Sequence, residues 1–191
     1  MQSKYNILII EGDGIGPEVI KPAQQILQKV LTKFNHDFSF DYALMGHCAI
    51  LETEEPLPAE TLQKAKNSSA ILFGAIGHPS YDNNPNATVR PEQGLLKIRK
   101  ELGLFANLRP VKIFDSLLEA SPLKSEIIKG SDILFFRELT GGIYFGSPRQ
   151  ESTKGSAAFD TMVYSENENE RIAKMAFEAA KNRRGKVLSD D

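Results

Sequence analysis

"YNILIIEGDGIGPEVI", residues 5–20, is the stretch from which the fold can be read. Tyr5 to Ile10 form a short apolar run, which reads as a buried strand, and a glycine-rich turn follows it. Pro17 suits the first turn of a helix, where its missing N–H costs nothing. From there Val19, Ile20, Ala23, Ile26, Leu27, Val30, Leu31 and Phe34 recur at helical spacing. Phe38 to Leu44 then alternates like a strand, and Pro58 opens another, shorter helix. Ala70 to Ile76 is a third apolar strand, bounded by Gly77 and Pro79. The order strand, helix, strand, helix, strand predicts α/β layers around a largely parallel sheet.

Beyond it, residues 77–91 form a long polar loop, "GHPSYDNNPNATVRP". Loops of this length in compact domains usually serve function. A helix is expected from Pro91 to Leu102, then strands over Asn107–Ile113 and Asp132–Phe136. Gly141 and Gly142 mark a turn, and Ala157 to Tyr164 has the pattern of a further strand. Ser165 with Glu168 makes a capping box for a closing helix whose face is Ile172, Met175, Ala176 and Ala179. Gly185 fits the helix stop, and "KVLS" reads as the start of a new strand.

Composition narrows the classes. At 191 residues the chain forms one large domain or two small ones. A net charge of −2 supplies no basic field, so nucleic acid is not its main partner. Cys48 is the sole cysteine, which excludes an intramolecular disulfide and a CxxC site and fits a packing role in a reducing compartment. The first strand begins at Tyr5, leaving no room for a signal peptide, and no apolar run approaches a membrane span. A soluble, cytoplasmic protein is expected. His36, His47 and His78 lack metal-ligand spacing and read as surface or packing residues. The basic "KNRR" from Lys181 reads as the solvated end of a helix.

Three stretches carry chemistry. "EGDGIGPE", residues 11–18, sets a glycine turn before a helix N-terminus, where backbone N–H groups can face an anion. Gly12, Gly14 and Gly16 lack the Rossmann spacing, and no GK[ST] follows, so the plainer reading is a tight turn. "GLLKIRKELGLFANLRP", residues 94–110, places Leu95, Leu96 and Arg99 along one helical edge and Arg109 on the next strand. An arginine fork can hold a carboxylate by two hydrogen bonds; the plainer reading gives the leucines to the core and Arg99 to water. "FRELTGGIYFG" adds Arg137 and Tyr144, an acid beside a cation, or simply a hairpin with an aromatic anchor.

In one chain and in this order, "GDGIGPE", "RPEQGLLKIRKELGLFANLRP" and "RELTGGIYFG" resemble the isocitrate/isopropylmalate dehydrogenase family of metal-dependent β-hydroxyacid oxidative decarboxylases. The resemblance runs from Ile7 to about Ser189 and implies two α/β domains around a central cleft. It implies oxidative decarboxylation of 3-isopropylmalate to 2-oxoisocaproate with NAD⁺ reduction, a step of leucine biosynthesis, in a homodimer using Mg²⁺ or Mn²⁺. By that resemblance Arg99, Arg109 and Arg137 grip the malate carboxylates, and Leu95 and Leu96 receive the isopropyl group. Isocitrate-type relatives carry a serine and an asparagine on this helix. Two leucines strip water from a branched alkyl group and penalise an anion. Tyr144 is then the acid that protonates the enolate. Ile15, Pro79, Asp82, Thr88, Val89 and Glu92 lie along NAD.

The family chain is nearly twice as long, and its general-base lysine sits in a strand reading roughly V-S-x-D-K-A-N. Here Ser189, Asp190 and Asp191 match S-x-D, with the lysine expected next; the metal-ligand aspartates follow later in the family pattern. The resemblance therefore implies an incomplete first domain over 1–104 and part of the dimerising domain, with a hairpin arm, over 105–191. It implies a truncated form, inactive alone. A non-catalytic partner of a full-length homologue, or a related tartrate or alkylmalate dehydrogenase, are the alternatives.

Overall fold

The computed structural model describes residues 5–189 apart from 83, 85 and 150–156. The chain divides into two compact units, Met1–Leu102 and Gly103–Asp191.

The first unit holds β1 (Tyr5–Gly12), α1 (Gly16–Lys33), β2 (Phe38–Tyr42), α2 (His47–Thr53), α3 (Ala59–Asn67), β3 (Ala70–Ala75) and α4 (Pro91–Glu101). Its sheet runs β2-β1-β3 and is parallel throughout, with Ile7 opposite both Phe40 and Ala70. Leu8, Ile9 and Ile10 on the central strand are wholly buried, which is why the run is continuously apolar rather than alternating. Leu8 and Ile10 form the core with Met45, Leu57, Ala65 and Ile98. α1 stops in a left-handed turn: Asn35 takes φ 54°, and His36 N–H donates to the Leu31 carbonyl at 3.0 Å.

α2 was not foreseen from the sequence. Its N-cap is Gly46, at φ 92°, and no side chain of its own segment caps it. The cap comes instead from Asp13, which is remote in sequence.

The second unit holds β4 (Ala106–Lys112), the short α5 (Ser125–Ile128), β5 (Asp132–Glu138) and α6 (Glu166–Lys181). β4 and β5 form an antiparallel pair with Leu108 opposite Phe136. α6 opens with the expected box: Ser165 Oγ accepts from Glu168 N–H, and Glu168 Oε2 accepts from Ser165 N–H.

Two expectations fail. Residues 157–164 contain one bridging residue, Phe159, and no strand. The segment lies instead against a glycine turn: Gly142 N–H donates to the Val163 carbonyl at 2.9 Å, and a Cβ on Gly146 would stand 1.8 Å from the Thr161 carbonyl oxygen. Strand-forming residues alone make no strand without a partner for their backbone groups. Residues 186–189, "KVLS", are likewise without strand structure, and Leu188 is almost fully exposed. No helix among the described residues is long and apolar enough to cross a membrane.

Candidate substrate and cofactor site

Strand register does in the second unit what sequence spacing cannot. Asn107 pairs with Arg137 and Arg109 with Phe135, so both arginines stand on one face of the β4–β5 ribbon. Leu108, Leu134 and Phe136 take the opposite face, where with Met175 and Ala179 of α6 they line an apolar hollow. Arg109 Nε donates to Asn107 Oδ1 at 2.7 Å, which fixes its guanidinium along the strand. Arg137 Nη2 donates to the Tyr144 hydroxyl oxygen at 2.9 Å, and its guanidinium lies 5.3 Å from the ring centroid. Since Tyr144 accepts from Arg137, its own O–H proton remains available to a second acceptor. A phenol O–H oriented in this way can serve as a proton donor.

In the first unit Pro91 opens α4, and Gln93 Oε1 accepts from the Arg90 backbone N–H at 3.1 Å. Gly94 lets the helix approach Pro56: a Cβ there would lie 2.5 Å from its carbonyl oxygen. Leu95 packs against the buried core, so the plainer reading holds for part of this leucine pair. Leu96 and Arg99 are half-buried and three residues apart, on one side of the helix.

The glycine turn is wired differently from a phosphate loop. The sheet order reverses at β1, so the crevice beyond the ends of β1 and β3 is where α/β sheets bind ligands. Here it holds the chain's own anion. The buried Asp13 carboxylate accepts from the backbone N–H groups of His47 (2.8 Å), Cys48 (3.0 Å) and Gly77 (3.0 Å). Gly16 N–H is spent on the Asp13 carbonyl and Asp13 N–H on that of Ala75. Asp13 thus serves as the remote cap of α2 and the tether of Gly77, a role the sequence reading missed. Burial pushes the Cys48 thiol up, which keeps it protonated and suits its packing role.

The loop after Gly77 is held from several sides. His47 and His78 stack at 4.1 Å, and the Tyr81 hydroxyl lies 3.1 Å from His47 Nδ1. Arg90 donates to the carbonyls of Tyr81 (2.5 Å) and Asn84 (2.8 Å), so this arginine organises the loop. Along this frame Ile15, Pro79, Asp82, Thr88 and Glu92 are exposed and Val89 is half-buried. Gly14, at φ 54°, has open space where a Cβ would be. Exposed side chains along the loop and open space at Gly14 leave room for an extended ligand. A divalent metal finds no fit here: among the described residues no three His, Cys, Asp or Glu side chains come together.

Comparison with known proteins identifies the family. The chain matches the isocitrate/isopropylmalate dehydrogenase family over residues 6–191. It is 53% identical over 190 residues to the 3-isopropylmalate dehydrogenase of Rhodopirellula baltica, covering 97% of this chain and 52% of that protein. To the 3-isopropylmalate dehydrogenase of Bacillus subtilis it is 52% identical over 191 residues, covering 98% and 52%. Among solved structures, a β-decarboxylating dehydrogenase from Thermococcus kodakarensis superposes with a TM-score of 0.63 at 33% identity, covering 94% of this chain and 46% of that one. The chain therefore spans about half the length of the curated relatives it matches. A family match over nearly all its residues, together with the parallel sheet beneath it, places this chain in the isocitrate/isopropylmalate dehydrogenase family.

Proposed function

We propose that this chain carries the substrate-recognising and proton-donating residues of an NAD⁺-dependent dehydrogenase that oxidatively decarboxylates (2R,3S)-3-isopropylmalate to 2-oxoisocaproate. The observation that carries the proposal is the Arg137–Tyr144 hydrogen bond on the ribbon face that also bears Arg109. Arg109 and Arg137 hold malate carboxylates by charge-assisted hydrogen bonds, joined in this role by Arg99. Leu96, backed by Leu95, takes the isopropyl group and keeps water from it. After carbon dioxide leaves, the Tyr144 O–H gives its proton to the carbon that carried the lost carboxylate. The Arg137 guanidinium at the phenol oxygen stabilises the phenolate that remains.

NAD⁺, when bound, accepts the hydride from the substrate carbinol carbon. Ile15, Pro79, Asp82, Thr88, Val89 and Glu92 are the residues proposed to lie along it. Relatives named 3-isopropylmalate dehydrogenase support the alkylmalate over isocitrate, and so does the leucine pair, which leaves no polar partner for a third carboxylate. The resemblance further supports a homodimer acting in leucine biosynthesis with Mg²⁺ or Mn²⁺.

The test is NADH formation by the whole protein, supplied with NAD⁺ and Mg²⁺ or Mn²⁺, on 3-isopropylmalate and on isocitrate. Turnover of 3-isopropylmalate alone is expected, with Tyr144→Phe lowering kcat by about 10²-fold or more while KM holds. Equal turnover of isocitrate, or an unaffected Tyr144→Phe enzyme, would refute the proposal.

A further inference from the structure

We propose that Arg171, on α6, is a positioning residue for the Arg137–Tyr144 pair; the inference rests on the function proposed above. Arg137 and Glu138 are adjacent on β5 and point to opposite faces, so anchoring one aims the other. Glu138 is buried, and its Oε1 accepts from Arg171 Nη2 at 2.7 Å and from both the backbone N–H (2.8 Å) and hydroxyl (2.7 Å) of Thr140. Arg171 Nη2 also donates to Thr140 Oγ1 at 2.6 Å. The Arg171 guanidinium is laid on Phe105 at 4.6 Å, and the Phe105 carbonyl accepts from Leu139 N–H at 2.8 Å. One cation thus grips residues 138, 139 and 140 together, directly or through Phe105.

Those three residues begin the link between Arg137 and Tyr144. From Thr140 the chain passes through Gly141 and Gly142 into the single 3₁₀ turn Gly142–Tyr144. Gly141 sits against the Glu168 carboxylate, where a Cβ would meet it at 2.8 Å, so the turn is also seated on the start of α6. The 2.9 Å contact between Arg137 and the Tyr144 hydroxyl is spanned by this path, whose turn is also held by the Gly142 N–H bond to the Val163 carbonyl. Among the described residues Glu138 Oε2 and Arg171 Nε are buried and find no hydrogen-bond partner, so the pair meets end-on rather than as a fork. That geometry leaves Nη2 shared between Glu138 and Thr140, which serves the turn more than it serves the ion pair.

The test is a double-mutant cycle in the whole protein with Arg171→Met, Tyr144→Phe and both together, and with Arg171→Lys as the conservative variant. Kinetics on 3-isopropylmalate are read beside NMR of ¹³C-labelled tyrosine rings. Arg171→Met is expected to lower kcat/KM by about tenfold or more, but by under about threefold in the Tyr144→Phe background, with Arg171→Lys recovering part of the loss. The Tyr144 ring signal moves in Arg171→Met while those of Tyr5, Tyr42 and Tyr81 stay in place. Additive losses around the cycle, or an unmoved Tyr144 signal in folded Arg171→Met, would overturn the proposal. If the unaltered protein does not oxidise 3-isopropylmalate, the proposed function fails and the ring signal alone decides the positioning role. Should Arg171→Met not fold, Thr140→Val removes only the bridging hydroxyl and carries the same cycle.

Discussion

Replacing Asp13 gives the sharpest test of how the first unit is held together. Its carboxylate accepts three backbone N–H groups, from His47 and Cys48 at 2.8 and 3.0 Å and from Gly77 at 3.0 Å. Leaving a buried donor unpaired costs about 1–3 kcal/mol, and three such donors lose their partner in Asp13→Ala. Water entering the vacated space relieves part of this, because His47, Cys48 and Gly77 are half-buried rather than sealed. The expected loss is about 4 kcal/mol, well above the 0.5–2 kcal/mol of an ordinary helix cap and a large share of a typical domain's stability.

Asp13→Asn separates hydrogen bonding from packing. Oδ2 serves His47 and Gly77 and Oδ1 serves Cys48, so an amide oxygen can keep the first two. The amide NH₂ then faces the Cys48 N–H, donor against donor, at a cost of about 2 kcal/mol. Urea unfolding of the whole protein measures the order, and amide exchange at His47, Cys48 and Gly77 locates it. An Asp13→Asn protein within about 0.5 kcal/mol of the native one, with exchange unchanged at those amides, would refute the reasoning.

Three further outcomes are expected. Gly12→Ala puts a Cβ 2.0 Å from the Ala75 carbonyl oxygen at φ 73°, so β1 and β3 must part, whereas Gly14→Ala at φ 54° meets nothing within 4 Å. Unfolding should show a loss of about 3 kcal/mol or more for the first and about 1 kcal/mol for the second. Hydrogen bonds from the Ser165 backbone N–H and then its hydroxyl hold the Glu168 carboxyl below the usual glutamate range. Its stabilisation of α6 is therefore full above the ordinary glutamate range and lost as pH falls through and below that range, and Glu168→Gln should flatten that part of a Tm-against-pH curve. Leu96→Ser should lower kcat/KM for 3-isopropylmalate by about tenfold or more, as lost methylene contacts do in hydrophobic pockets, and steady-state kinetics with unchanged Tm will show it.

What could be read in the sequence was whatever is encoded locally. The run Ile7–Ile10 announces a strand buried on both faces, and the capping box at Ser165 and Glu168 announces α6 to the residue. α2 was silent because its cap is supplied by Asp13, 34 residues before His47, and a helix of seven residues shows too little periodicity to be seen. The stretch 157–164 misled for the opposite reason. Its strand-forming residues, Phe159, Thr161, Val163 and Tyr164, are real, but its backbone lies along the Gly142–Gly146 turn, and only a pairing partner makes such a segment a strand. The site residues were legible as types, not as an arrangement. Nothing in the spacing of Arg109 and Arg137 says that they share a face; the register of β4 on β5 does.

That register also separates two kinds of arginine in the second unit. Arg171, Arg183 and Arg149 each sit on a carboxylate, at 2.7 Å from Glu138, 2.8 Å from Asp132 and 2.9 Å from Asp160. Arg183, with the help of the neighbouring cations, holds the Asp132 carboxyl below the usual range, the mark of an ion pair already made. Arg109 and Arg137 are partnered by neutral oxygens instead, the Asn107 amide and the Tyr144 hydroxyl, and form no salt bridge among the described residues. A neutral acceptor orients a guanidinium without cancelling its charge, and each fork keeps further N–H donors for a second ligand. Arg171, Arg183 and Arg149 thus meet a carboxylate within the fold, whereas Arg109 and Arg137, like Arg184 on the Asp132 carbonyl, are held by neutral oxygens on an exposed face. On the function proposed above, the dicarboxylate end of an alkylmalate supplies two anions for these cations.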